Sequence, residues 1–238
     1  MTSLSVDLNA PNIKRVNSFQ ELLNTPFAEG VNAVCWPRVL EGDFAGVVAS
    51  LGDGGGEAIT VLDESRMRDL PLSTAGRVAA EVMLADLRML RAHELDPVLN
   101  CIHGYPRDDE AGPVATDVFS YHADSAPVAT ATWLCTYHGP SSEGLANEEA
   151  LRRVDMPDTR AELWRLFGGT DEAEFREFLN EHCYDLHYAP VQGARPYSLG
   201  VGNLWRIAVD YPGCPVPPCI HRAPNTQPGQ PARLLLIS

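Results

Sequence analysis

The sequence predicts an α+β fold, a β core from about residue 98 onward with helices packed against it, and three observations predict it. An amphipathic pattern runs from Ser73 or Thr74 to about Glu94. Beyond Pro97 the chain changes to short β-like stretches broken by Pro, Gly and Asp. A second helical block fills about residues 148–182 before the β pattern resumes. At 238 residues the chain fits one domain and can bury a sizeable core unaided. Within it, residues 1–97 read as a helical and β flanking region, and residues 98–238 as the core, interrupted by the helices of about 148–182.

Taken in order, Ser18-Phe-Gln-Glu21 has the spacing at which a Ser hydroxyl and a Glu carboxylate each satisfy a free backbone N–H, which starts a short helix through Leu22 and Leu23. Residues 33–36 and 44–51 are short apolar runs, and Asp53-Gly-Gly-Gly56 breaks the chain before an expected strand at 58–62. That glycine cluster lacks the Lys-Ser or Lys-Thr pair of a phosphate loop, so it reads as a turn. In the long helix Val78, Val82, Ala85, Met89 and Ala92 form an apolar stripe that Leu84, Leu87, Leu90 and Leu95 widen. Strands are expected at 98–103, 114–122 and 129–137. Helical segments are expected at 148–154, 158–167 and 171–182, followed by strands within 197–209. Proline crowds residues 211–231 and, having no N–H for a ladder, argues there for an ordered loop. Residues 232–238 have the pattern of a buried strand.

Composition narrows the function. Lys and Arg total 18 against 32 Asp and Glu, a formal charge of -14 that repels phosphate backbones and anionic lipid surfaces. Neither nucleic acid nor a membrane is an expected partner; a small-molecule substrate is, and the oligomeric state is not written in the sequence. The first residues show no basic start followed by an apolar run, and no apolar stretch of about 18 residues occurs. Six scattered cysteines read as reduced thiols. Together these features predict a cytoplasmic protein. No Gly-x-Ser-x-Gly motif supports a nucleophilic hydrolase.

The residues that suggest chemistry begin at Phe119-Ser-Tyr-His122-Ala-Asp124. On extended backbone, His122 and Asp124 leave the same face and can share one metal ion. A strand-end histidine bonded to a turn aspartate explains that pair equally well by itself. Further on, Cys219-Ile-His221-Arg-Ala-Pro is followed by Arg233 at the start of the terminal apolar segment.

The order His-x-Asp, distant His, then Arg on a terminal strand resembles the iron(II) and 2-oxoglutarate-dependent oxygenases, whose fold is a double-stranded β-helix, a jelly-roll of cupin-like type. The resemblance covers roughly residues 114–238. It implies that His122, Asp124 and His221 hold iron(II), that Arg233 binds the distal carboxylate of 2-oxoglutarate, and that dioxygen is the oxidant. Arg206 and Arg222 stand in reserve for that carboxylate. The stretch between Asp124 and His221 is longer than a compact member needs, so the helices of 148–182 are expected as an insertion. An intact Asp124 argues against the related halogenases, which have a small residue at that place and bind chloride. More locally, Tyr121-His-Ala-Asp124, Thr136-Tyr-His-Gly-Pro140 and His221-Arg-Ala-Pro224 look like a bacterial family often associated with zinc-responsive genes, from which no activity carries across.

Several other groupings compete. Cys214, Cys219 and His221 offer two thiolates and an imidazole at roughly zinc-like spacing, and a zinc-binding homeostasis protein without redox turnover could use that pair of cysteines or the same His122, Asp124 and His221. His182, Cys183, Asp185 and His187 could ligate a metal, although residues at a helix end are more often caps. A cupin-like metalloenzyme that uses no keto-acid is the third reading. His138, Tyr137 and Trp205 are candidates to face substrate, with strand packing as their ordinary alternative.

Overall fold

The computed structural model describes residues 10–52, 56–107, 112–225 and 229–238. The first nine residues and Asp53, Gly54 and Gly55 of the glycine cluster lie outside the described residues. In chain order the elements are β1 (Ile13–Arg15), α1 (Phe19–Asn24), β2 (Ala33–Trp36), α2 (Phe44–Leu51), β3 (Ile59–Val61), α3 (Glu64–Asp69) and α4 (Thr74–Arg91). Then follow β4 (Val98–Ile102), β5 (Tyr121–His122), β6 (Ala131–His138), β7 (Glu143–Leu145), β8 (Ala150–Arg152), α5 (Pro157–Phe167) and α6 (Glu172–Glu181). The chain closes with β9 (His187–Pro190), β10 (Tyr197–Ser198), β11 (Leu204–Ala208), β12 (Ile220–Arg222) and β13 (Arg233–Ile237).

The fold is α+β, with two sheets. Seven strands form one sheet in the order β1-β2-β11-β6-β13-β4-β3, and six form the other in the order β10-β7-β12-β5-β9-β8. All pairings are antiparallel except β1 with β2. Strands β1, β2 and β3, which precede residue 97, are members of the larger sheet. Among the described residues, no helix is long and apolar enough to cross a membrane.

The larger sheet is buried on both faces, and its side chains divide with the period of two that strands impose. Val34, Leu99, Cys101, Trp133, Cys135, Leu204, Leu234 and Leu236 meet the helices on one side. Ala33, Cys35, Ile102, Leu134, Trp205, Ile207 and Leu235 face the other side, where they meet Tyr197 and Cys219 of the smaller sheet's region. A smaller core of Leu163, Phe175 and Leu179 with Val114 and Val154 holds the α5 and α6 layer.

The helices form where local chemistry starts them. Ser18 accepts from the Glu21 N–H, while the Glu21 carboxylate accepts from Asn17 N at 2.9 Å, the reciprocal cap expected at α1. Helix α4 begins on Ser73, whose hydroxyl accepts from Gly76 N. Gly42, at φ +117°, lets the turn before α2 run against α4, since a Cβ there would lie 2.4 Å from Ala79 N.

Four expectations are corrected. The buried face of α4 carries Ala79, Met83, Asp86, Leu87 and Leu90, whereas Val78 and Ala85 of the expected stripe are exposed. Asp86 turns the face: Arg38 grips it through two hydrogen bonds of 2.7 and 2.8 Å, so a residue that reads as solvent-facing is buried with its charge paired. Of residues 114–122 only Tyr121–His122 is a strand, because the Asp117 side chain accepts from the Phe119 and Ser120 N–H groups and turns the chain before it. Residues 148–154 are not a helix; 150–152 pair with β9 between two 3-10 turns, a tertiary pairing that overrides helical propensity. The proline-rich segment contains a strand, β12, which starts two positions after Pro218, where N–H donors resume. Pro228 within that segment lies outside the described residues.

Candidate metal centre

His122 and His221 are direct cross-strand partners on β5 and β12, which brings their rings to 4.6 Å between centroids. Asp124, two residues after His122, leaves the same face. Its backbone carbonyl accepts from Asp210 N at 2.7 Å, and Ala123 N donates to Leu186 O at 3.0 Å, so the extended conformation continues past the strand. The two sheets meet here: Thr132 on β6 donates its hydroxyl to Asp124 Oδ2 at 2.5 Å.

One ligand atom from each of His122, Asp124 and His221 lies within 4.8 Å of the others. His122 Nε2 is 3.9 Å from Asp124 Oδ1, and His221 Nε2 is 3.7 Å from Asp124 Oδ2. On the far side of each ring, His122 Nδ1 is 2.8 Å from Ser120 O and His221 Nδ1 is 3.2 Å from Cys219 O. A carbonyl only accepts, so in the neutral rings both protons sit on Nδ1 and both Nε2 lone pairs point toward the carboxylate. Burial, reinforced by the neighbouring His221, pushes the His122 imidazole down to about 4. For Asp124, burial works to raise the carboxyl, but His221, the Thr132 hydroxyl and His122 together hold it below its ordinary value. Neutral imidazoles beside a carboxylate are the state in which all three can hold a cation.

These residues open onto a cavity of about 330 Å³ between the sheets. Arg233 lines its other end, 2% exposed. It donates through Nη1 to Tyr105 Oη at 3.2 Å, and through Nη2 to Thr136 Oγ1 at 3.0 Å and Ser142 Oγ at 2.6 Å. Its Nε is buried without a partner, and among the described residues no carboxylate pairs with this guanidinium. Burial depresses the pKa of Arg233, the direction that fits a cation short of a counter-charge. Gly139, at φ +80°, passes so close that a Cβ would lie 3.0 Å from Ala232 O and 3.1 Å from Arg233 Cα.

The other expected site residues go elsewhere. Arg206 lies on the helical face, where it donates to Leu23 O at 2.6 Å and to Thr25 O and stacks on Phe27, so it caps α1. Arg222 is held by Glu143, with Nη2 to Oε2 at 2.6 Å, and lies over Tyr121. Tyr137 donates to Asp86 on the helical side at 2.7 Å. A bulge in β6 opposite Leu234 and Leu235 sets His138 against Leu234, whose neighbours are helical, and its charged neighbour is Asp43. Trp205 is buried between the sheets, donating to Leu199 O at 2.8 Å, and does not line the cavity.

Neither rival cluster assembles. Cys219 is buried and its thiol is pushed up to about 12 by that burial, while Cys214 is bonded with Tyr211. His182 stacks on Tyr184, and His187 bonds Cys183 O at 2.8 Å; among the described residues only His122, Asp124 and His221 group as ligands.

Sequence reasoning missed Thr132, Thr136, Ser142 and Tyr105. The first two carried a signal, since they sit on alternate inward positions of a strand of otherwise apolar inward residues. Ser142 and Tyr105 lie in loops, where no period marks a direction. Comparison of the chain with protein-family models, with curated proteins and with solved structures gives no match.

Proposed function

We propose that the protein is a non-haem iron(II), 2-oxoglutarate-dependent oxygenase that oxidises a small molecule. The observation that carries this reading is the buried Arg233, without a carboxylate partner among the described residues, in the same cavity as two Nε2 atoms and a carboxylate. A structural zinc centre has no need of a buried cation facing it, whereas a keto-acid with one end on the metal brings a free carboxylate to that cation.

The spacing agrees. Thr136 touches Arg233 and Thr132 touches Asp124, and these two threonines are four residues apart on one strand, roughly 13 Å at 3.3 Å per residue. That puts the carboxylate and the guanidinium at separate places along one cavity, with space between them for a small dicarboxylate that bridges metal and guanidinium. The strand order also supports a double-stranded β-helix. Strands β4, β6, β11 and β13 lie side by side in the larger sheet and β5, β7, β10 and β12 in the smaller, so the chain crosses repeatedly between them.

His122, Asp124 and His221 would hold iron(II) on one side and leave its other positions for small ligands. Iron(II) held there would supply the redox chemistry that pairs reduction of dioxygen with oxidative decarboxylation of 2-oxoglutarate to succinate and carbon dioxide and puts one oxygen atom into the substrate. The chain's own share is placement. Ser120 O and Cys219 O fix the imidazole tautomers, Thr132 fixes one carboxylate oxygen, and Thr136, Ser142 and Tyr105 aim Arg233. Walls of Leu134, Ile102 and Leu235 exclude water from the region between.

The test is aerobic turnover of 2-oxoglutarate to succinate by iron(II)-loaded protein, with His122→Ala as control. Succinate from the wild type and none from the variant is expected. Failure to bind or turn over 2-oxoglutarate, together with stoichiometric zinc retained through chelation, would sink the proposal in favour of a zinc-holding protein.

A further inference from the structure

If His122, Asp124 and His221 belong to the metal and Arg233 to the keto-acid, no acidic or basic side chain is left in the lining of the cavity. Beyond the walls of Ile102, Leu134 and Leu235 and the hydroxyls that hold Asp124 and Arg233, the lining is Ile59, Val118, Ala223 and Ile237, with one amide, Asn100. Asn100 lies on β4 between Leu235 and Val61, half-buried, and makes no side-chain hydrogen bond among the described residues. An ammonium or carboxylate brought to this wall would be stripped of water with nothing to pair it.

The mouth of the cavity continues the same chemistry. Ile59 and Val61 project on the cavity side of the edge strand β3, because their partners across the ladder are Ile102 and Asn100. Val98 does the same opposite Ile237. With Val118 they make a collar of five large apolar side chains, each more than a third exposed. Exposed apolar residues scattered singly need no explanation, but a contiguous set around a cavity does. A five-carbon co-substrate takes part of the cavity's 330 Å³, so a substrate longer than the space left must extend onto this collar.

We infer that the molecule oxidised at the metal is an uncharged, largely apolar compound with a hydrogen-bonding group for Asn100, its body lying on the collar of Ile59, Val61, Val98, Val118 and Ile237. The inference rests on the oxygenase reading and narrows it: free amino acids and amines are not the substrate class, although the chain's charge of -14 would attract cations.

Four probes share the question between head and body: hexanamide, hexanoate, hexylammonium and acetamide. Their binding to cobalt(II)-loaded protein is followed by paramagnetic broadening of probe resonances, with and without 2-oxoglutarate. Hexanamide should bind and broaden with 2-oxoglutarate present, and the other three should bind at least about tenfold more weakly. Asn100→Leu and, separately, Val61→Glu should each weaken hexanamide by about tenfold, one change removing the amide partner and the other charging the apolar collar beside it. Equal binding of the ionised probes, indifference to both variants, or self-association that Val61→Glu abolishes, which would make the collar a surface between copies, overturns the inference. Failure of 2-oxoglutarate to bind while hexanamide still broadens sinks the oxygenase reading and leaves the apolar site standing.

Discussion

Arg233 separates two explanations that its neighbours share. A structural arginine stabilises the fold through its hydrogen bonds, whereas one held for an anion costs stability until the anion arrives. Arg233→Met is therefore expected to leave the ligand-free protein at least as stable as the wild type in a denaturant titration. It should also weaken 2-oxoglutarate by about 10- to 100-fold, the worth of charge-assisted hydrogen bonds, with metal affinity unchanged. Thr132→Val removes the hydrogen bond to Asp124 at equal volume and should weaken metal by at least about tenfold by competitive chelation, while Thr132→Ser should restore it. His122 supplies the pH dependence. In the metal-free protein its imidazole is held down to about 4 from the usual 6.5, so the unfolded chain takes up a proton in the window where the folded chain does not. Stability is full above the upper value and falls as pH drops toward the lower one, which urea titrations of metal-free protein between those pH values would read. At this scale the His-x-Asp pair was legible because residues two apart on a strand share a face. Arg206 and Arg222 stood in reserve behind Arg233 and could not be dismissed, since what decides an arginine's role is its partner, and Leu23, Thr25 and Glu143 are brought to them only by the fold.

Among the elements, α4 shows how one charge misdirects a pattern. Its caps and length were readable, but the stripe was rotated because Asp86 counts as polar until Arg38 is placed beside it. Asp86→Ala leaves a buried guanidinium without its carboxylate and should destabilise the protein by about 3–5 kcal/mol in a thermal or denaturant melt. Strand β12 was hidden by prolines that stop two residues short of it, and β8 by helix-forming residues that a tertiary ladder recruits. Both strands are three residues long, too short for alternation to announce them.

The whole molecule joins its sheets at the candidate site. His122 and His221 stand on the smaller sheet, while Thr132 and Arg233 stand on the larger, so a metal and its co-substrate would add a further bridge between the layers. Cobalt(II) at about 100 times its dissociation constant should add about 2.7 kcal/mol of stability, and 2-oxoglutarate should add more when metal is already present. Differential scanning with each alone and both together reads that coupling. The broad class was legible from the alternation of helical and β patterns, but the assignment of strands to sheets was not, because pairings such as β2 with β11 join segments far apart in the chain.

The position of β13 bears on how the molecule comes into being. It is the strand latest in sequence, yet it lies inside the larger sheet, hydrogen-bonded to β4 on one side and β6 on the other. Until it docks, both neighbours present open edges that can pair wrongly or with another chain. Contacts across such separations, as between Asn32 and Pro217 at 185 positions, also make formation slow. Arg233 enters on that same strand, so a sheet caught half-assembled is also one that cannot yet grip an anion, and the moment at which anion binding appears during refolding would mark the docking of β13.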